Sequence, residues 1–159
     1  MEKYYRKELS GKKDGSPFFL QCRNQALVYL GIREHNRREL ITKLKARGYE
    51  DSLIEDVIEE LVSDGFLSEE RYVRSFVRSN NKRHAEGKNL VLQRLAAKGA
   101  DRAVSQKTVD EIYTDEYTSA IVREAETALL RKGKARTEAE LRAALRKLGF
   151  SNWDIRDIF

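Results

Sequence analysis

Four cationic side chains near the middle of the chain have types and spacing suited to binding anions. Arg71, Arg74, Arg78 and Lys82 are separated by three, four and four residues, so a helix through them places all four along one face. Guanidinium and ammonium groups in such a row bind the carboxylates of an acidic protein or the phosphates of a nucleic acid. We therefore predict a partner-binding surface here, with pairing to the acidic residues just before it in sequence as the open alternative. Four further cations on the same stretch rank second as contacts: Arg83, Lys88, Arg94 and Lys98.

The charge distribution along the chain favours an ionic partner. Residues 50–70 contain nine acids and no base, whereas residues 71–102 contain nine bases and only two acids, Glu86 and Asp101. An acidic block followed by a basic block is an asymmetry that the overall net charge of +5 conceals. A solvated charged face is the simpler interpretation of either block.

Other chemistry is poorly supported by the residue types present. The two histidines and the single cysteine stand far apart and lack metal-ligand spacing. Gly133-Lys134 lacks the upstream glycine and the Ser/Thr of a phosphate-binding loop. The acids of residues 51–70 could supply the carboxylate pair of a hydrolase, but their spacing faces water. We predict no catalytic residue, no metal site and no cofactor, and we expect the chain not to be an enzyme.

A segment that recurs three times indicates the elements that position these cations. Glycines at positions 48, 99 and 149 each follow, by twelve residues, a residue type that caps helices: Asn36, Gly87 and Thr137. Apolar residues stand eight and four positions before each glycine: Leu40 and Leu44, Val91 and Leu95, Leu141 and Leu145. This pattern predicts an eleven-residue helix with one apolar face and a left-handed glycine after its last turn. Its period of 51 and then 50 residues is typical of stacked helical repeats.

The pattern of caps and apolar stripes predicts an all-α fold, an elongated array of three tandem three-helix repeats that resemble helix-turn-helix units. We divide the chain into a basic flexible tail (1–15) and repeats at 16–66, 67–113 and 114–159, with about nine helices in all. The last is a short helix that opens at Ser151 and carries Trp153, Ile155 and Ile158. Cys22 lies on the apolar stripe of the first helix, so we interpret it as a core residue and not as a reactive thiol.

The helix-turn-helix likeness raises sequence-specific DNA reading as an alternative. In that case the third helix of the first repeat enters the major groove. Its charged residues are acids: Asp51, Glu55, Asp56, Glu59 and Glu60. Because phosphates repel such a helix, sequence-specific reading is disfavoured.

A series of short motifs runs in order through the first two predicted repeats: Ala26-Leu27-Val28-Tyr29-Leu30, Arg33-Glu34-His35, Arg38-Glu39-Leu40, Lys43-Leu44, Gly48, Val57-Ile58, Leu61, Gly65-Phe66-Leu67, Glu70-Arg71-Tyr72-Val73, Phe76-Val77-Arg78-Ser79 and Leu95-x-x-Lys98-Gly99. In these motifs the chain resembles the RecX proteins, which regulate the RecA recombinase. The resemblance covers residues 19–100 well, while the last repeat agrees mainly in its helix pattern. The chain departs from the family at Leu90 and Arg94, where RecX proteins usually carry a base and then an acid.

This resemblance implies a non-enzymatic regulator that lies in the groove of the RecA–DNA filament and impedes ATP turnover, filament growth and strand exchange. It implies the RecA filament as partner. The basic middle of the chain could face the acidic filament surface, DNA phosphate or both, so weak direct contact with single- or double-stranded DNA is left open. The alternative is a helical repeat protein that binds DNA non-specifically through the same bases. We expect a cytoplasmic monomer with no membrane partner, because no run approaches the roughly 20 apolar residues of a membrane span.

Overall fold

The computed structural model describes residues 15–159, and this part of the chain contains α-helices and no strand. The predicted all-α class is therefore confirmed. The predicted tail, apart from Gly15, lies outside the described residues. The eight helices are α1 (Pro17–Ile32), α2 (Arg37–Ala46), α3 (Asp51–Ser63), α4 (Glu69–Asn81), α5 (Lys88–Ala97), α6 (Arg102–Ile112), α7 (Asp115–Arg131) and α8 (Glu138–Lys147).

The described part of the chain divides into two compact units, one that ends at Glu69 and one that runs from Glu70 to Phe159. We call them the first and second unit. The division into three repeats at the boundaries given above remains a prediction.

The first unit packs α1, α2 and α3 around one core. Helix α1 begins at Ser16, whose Oγ accepts a hydrogen bond from the Phe19 backbone N–H at 3.1 Å, and Pro17 occupies a position that needs no donor. Cys22 is fully buried in this core, and burial raises the pKa of its thiol to about 11. Its predicted place in the core is confirmed. The core residues are Phe19, Cys22, Ala26, Leu40, Leu44, Ile54, Val57, Ile58, Leu61 and Leu67.

The second unit has two apolar clusters that share one aromatic residue. Helices α4, α5 and α6 enclose the first cluster, which includes Val73, Leu95 and Val109. Helices α7 and α8 enclose the second, which includes Leu145. Tyr117, which is partly buried, packs against both clusters and connects them.

The recurring helix is confirmed in all three places. Helices α2, α5 and α8 each contain ten residues, one fewer than predicted. The glycine that follows each has a left-handed φ, +86° at Gly48, +77° at Gly99 and +90° at Gly149. The next backbone N–H then folds back onto a carbonyl of the last turn, as from Phe150 to Leu145 at 3.3 Å, which completes a Schellman-type end.

The beginning of α5 differs from those of α2 and α8. Asn36 and Thr137 cap their helices with side-chain oxygens, but Gly87 has no side chain to do so. Its N–H donates to the Leu148 carbonyl at 2.7 Å, and the Asn89 N–H donates to the Gly149 carbonyl at 3.3 Å. A Cβ on Gly87 would lie 2.4 Å from the Gly149 carbonyl carbon. The end of α8 therefore caps the start of α5, and glycine is required for this close approach.

The predicted ninth helix is wrong. Residues 152–158 form turns, because their backbone bonds span three residues, from Arg156 N–H to Trp153 and from Ile158 N–H to Ile155. The expected capping contacts do form, since the backbone N–H groups of Ser151 and Asp154 each donate to the other side chain. Ile155 is buried while 68% of Trp153 is exposed. One buried anchor thus holds a turn, and no apolar helix face forms.

Candidate anion-binding surface

Helix α4 separates its apolar and cationic residues onto opposite faces. Its buried residues are Tyr72, Val73, Val77 and Asn81, spaced so that they lie on one side of the helix. The predicted stripe occupies the other side and continues one residue past the helix, with all four members exposed: Arg71, Arg74, Arg78 and Lys82.

The beginning of the stripe is balanced by carboxylates of the same unit. The Arg74 Nε donates to Glu70 Oε1 at 2.9 Å, and its Nη2 donates to Glu111 Oε2 at 2.5 Å. These hydrogen bonds, that to Glu70 foremost, raise the pKa of the guanidinium. Arg71 is also engaged in a contact and is not free. Arg74 therefore shows the intramolecular pairing of the alternative interpretation, while its contact with a partner stays a prediction.

The end of the stripe is not balanced in this way. Arg78, Lys82 and Arg83 are exposed, and within the described residues no carboxylate pairs with any of them. We call these three residues the cation cluster. The Lys82 N–H donates to the Arg78 carbonyl at 3.3 Å, so the chain continues the helical path to Lys82, and the three cations lie within six residues of sequence.

The other second-rank cations have partners inside the unit. Lys88 forms an ion pair with Asp110, and this hydrogen bond lowers the pKa of the Asp110 carboxyl. Lys98 lies with its Nζ 5.9 Å from the centre of the Phe76 ring. Arg94 donates two hydrogen bonds, both of 2.7 Å, to the carboxylate of Glu86. Of the four, only Arg83 has no such partner in the described part of the chain.

Glu86 is the centre of a buried polar network that the sequence did not reveal. Its side chain is 2% exposed, and besides Arg94 it accepts a hydrogen bond from the Asn80 side chain at 2.8 Å. One signal was present, because Glu86 is one of the two acids in the basic block. An isolated acid among nine bases is a candidate for a structural partner.

The same network continues through two tyrosines. The Tyr113 hydroxyl donates to the Glu86 backbone carbonyl at 2.8 Å. It accepts from the Asn81 side chain at 2.7 Å, and that amide also lies 3.0 Å from the Tyr117 hydroxyl. Burial raises the pKa of Tyr113, so its hydroxyl keeps its proton and remains a donor. The residues on both sides of the cation-bearing loop are thus hydrogen-bonded to one buried cluster.

No three His, Cys, Asp or Glu side chains of residues 15–159 are grouped so that they could hold a metal ion. Among the helices of this range, none combines the length and apolar character needed to cross a bilayer.

Comparison with known proteins identifies the family. The model of the first three-helix domain of RecX matches residues 22–61. The regulatory protein RecX of Halorhodospira halophila is 34% identical over 128 residues, which span 80% of this chain and 76% of that protein. The chain belongs to the RecX family. RecX of Chlorobium phaeobacteroides is 30% identical over 135 residues, 83% of this chain and 87% of that protein.

Other RecX proteins agree over different lengths. The match with RecX of Streptococcus uberis spans 59% of this chain and 36% of that protein, at 29% identity. The crystal structure of RecX from Lactobacillus salivarius superposes with a TM-score of 0.76 over 89% of this chain and 94% of that chain. Its 23% sequence identity makes this a likeness of fold. The RecX fold and the helical repeat derived from the sequence therefore agree.

Proposed function

We propose that this RecX-family chain regulates the RecA recombinase by binding in the groove of the RecA–DNA filament. There it inhibits ATP turnover, filament growth and strand exchange, and it catalyses nothing itself. The observation that carries the proposal is the cation cluster, three exposed bases without a balancing carboxylate among the described residues in a chain whose relatives are regulatory proteins.

The partner that fits the cation cluster is a polyanion. Two arginines offer forked donors that match carboxylate or phosphate oxygens, and Lys82 adds a point charge. The bases with intramolecular partners contribute less, since binding a new anion must compete with an existing carboxylate. We therefore rank Arg78, Lys82 and Arg83 above Arg74, Lys88 and Arg94 as partner contacts.

The test is ATP turnover by RecA on single-stranded DNA, titrated with the wild-type chain and with the double variant Arg78→Glu, Lys82→Glu. Losing two charge-assisted hydrogen bonds, at about 1.5 kcal/mol each, raises the concentration needed for inhibition by roughly 100-fold. The matched control is Arg123→Glu, Arg131→Glu, which makes the same charge change at two exposed bases of α7 that lack an ion pair in the described range. Equal inhibition by wild type and the first double variant would remove the cation cluster from the proposal.

Non-specific DNA binding is the second candidate, because the cation cluster suits phosphates as well as carboxylates. Three phosphate contacts predict that binding to bare single-stranded DNA falls with salt with a log–log slope of about −2. Inhibition that begins well below one chain per RecA, with weak binding to bare DNA, supports filament binding. Inhibition that appears only when the DNA is saturated supports the second candidate.

A further inference from the structure

We propose that Glu86 is a positioning residue, which holds the loop after α4 so that the cation cluster presents its charges to the polyanionic partner in one fixed arrangement. This inference rests on the proposed function and adds to it a residue that touches no partner. It also gives Arg94, whose side chain is 47% exposed, a role as the counter-ion of the buried Glu86, besides the partner contact predicted from the sequence.

The geometry that supports this role is a loop fixed at both ends. Asn80 and Asn81 close α4, and Glu86 precedes the first residue of α5 by two positions. Asn80 bonds to the Glu86 carboxylate, and Asn81 reaches the Glu86 backbone through the Tyr113 hydroxyl. Lys82 and Arg83 lie between these two attachments, so the network determines the path of their backbone.

The loop's own hydrogen bonds show the conformation that is held. The backbone N–H groups of Arg83 and His84 both donate to the Asn80 carbonyl, at 3.0 and 2.9 Å. Asn80 therefore bonds to the loop through its carbonyl and to Glu86 through its side chain. If Glu86 no longer accepts that bond, the Asn80 side chain is no longer fixed, and the turn that carries Arg83 is held less firmly.

Such a network contributes more to fixing the orientation of its residues than to the free energy of unfolding. A buried ion pair loses hydration roughly as large as its attraction, so it is weak evidence for a gain in stability. A fully bonded buried network does specify one conformation. Cations on a pre-ordered loop avoid part of the entropy that a mobile loop loses when its partner binds.

Positioning and simple electrostatics predict opposite results when Glu86 becomes neutral. Glu86→Gln raises the net charge by one unit beside the cation cluster, so charge alone predicts tighter binding to a polyanion. If Glu86 positions the loop, binding weakens despite the added charge. Tyr113→Phe separates the two effects further, because it removes the hydroxyl between Asn81 and the Glu86 carbonyl without changing any charge.

The experiment uses the full chain and a fluorescent single-stranded oligothymidylate, with affinity measured over a range of salt concentrations. We expect Glu86→Gln and Tyr113→Phe to bind about fivefold more weakly, the factor for one lost hydrogen bond, with a shallower salt slope. Hydrogen exchange should show the Arg83 and His84 amides losing protection in both variants. Thr137→Ala, which removes the capping box of α8 far along the chain from the loop, controls for lower stability and should keep wild-type affinity and slope.

Several outcomes would overturn the inference. Tighter binding by Glu86→Gln would mean that the negative charge of Glu86 determines the affinity and that Glu86 does not position the loop. Unchanged exchange at Arg83 and His84 means that the network does not hold the loop, and a looser loop with unchanged affinity means that the cations need no positioning. Should either variant fail to fold, Asn80→Ala removes one bond to the Glu86 carboxylate at a half-buried position and is subject to the same criteria. If the wild-type chain does not inhibit RecA, only the proposed function is refuted, since the oligothymidylate assay contains no RecA.

Discussion

The contact between α5 and the end of α8 leads to a prediction about a single methyl group. Gly87→Ala adds a Cβ that would lie 2.4 Å from the Gly149 carbonyl carbon and 2.5 Å from both the Gly149 oxygen and the Phe150 nitrogen. All three are backbone atoms, so no side-chain rotation relieves the contact. The φ of Gly87 is −75°, which alanine adopts freely, and the cost therefore comes from the close approach alone.

The magnitude follows from what must move. Forcing a methyl group into a packed contact costs about 1–3 kcal/mol. Separating the helices also weakens the bonds from the Gly87 and Asn89 N–H groups to the Leu148 and Gly149 carbonyls, at about 1 kcal/mol each. We expect Gly87→Ala to lower the free energy of unfolding of the second unit by about 2–5 kcal/mol, a large part of the stability of an ordinary domain.

The assay is urea unfolding, followed by circular dichroism for the whole chain and by one further probe in each unit. Fluorescence of the single tryptophan, Trp153, reports the second unit. Labelling of the single cysteine, Cys22, which is buried in the first unit, reports that unit separately. Gly31→Ala is the matched control. Nothing lies within 4 Å of a Cβ on Gly31 in α1, so alanine should stabilise the first unit by up to about 1 kcal/mol.

Opposite signs for the two glycine-to-alanine changes are the expected result. A Gly87→Ala chain as stable as the wild type would mean that α8 does not cap α5 as described. A loss of stability reported equally by Cys22 labelling would mean that the effect is not confined to the second unit.

Two further predictions concern individual groups. His35 is buried, with its Nδ1 2.9 Å from the Arg33 carbonyl and no partner for its Nε2 among the described residues. Burial lowers the pKa of His35, and the positive charges of Arg33 and Lys43 act in the same direction, whereas the hydrogen bond to the Arg33 carbonyl and the charge of Glu39 oppose it. The contribution of His35 to stability is therefore present above the unfolded-state pKa and is lost as pH falls through the folded-state value. When the pH is lowered from 7.5 to 5.5, the urea midpoint of the first unit should therefore decrease in the wild type and in a variant substituted at the exposed His84. In His35→Gln this decrease should be smaller. Thr137→Ala should lower the stability of the second unit by about 1 kcal/mol, measured by the same denaturation, and no change would mean that its reciprocal bonds with Glu140 contribute nothing.

The sequence predicted the repeated helix because its signals are local. A cap such as Thr137, an apolar pair four residues apart and a glycine such as Gly149 act within one or two turns of chain. At Gly87 the same reasoning was incomplete. Its cap is a carbonyl of residue 148, 61 positions further on, and no local pattern shows why glycine stands there.

The sequence predicted which face of the helix carries the cations, but not which of these cations form ion pairs within the chain. Helical spacing placed Arg74 and Arg78 on one exposed side, as the structure has them. Pairing depends on which helix passes nearby, and Arg74 meets Glu111, 37 residues away on α6. Internal pairing is therefore present at Arg74 and absent at Arg78 among the described residues, while partner contact by either residue stays a prediction.

The two acids of the basic block complete this account of how the charge is organised. Asp101 accepts the Val104 N–H at 2.8 Å and begins α6, while Glu86 binds Arg94 and Asn80 beneath the loop. Neither pairs with Arg78, Lys82 or Arg83 in the described structure. The acids thus order the backbone around the basic block and leave the cation cluster unbalanced. The polyanion-binding surface that we propose requires this combination of fixed geometry and free charge.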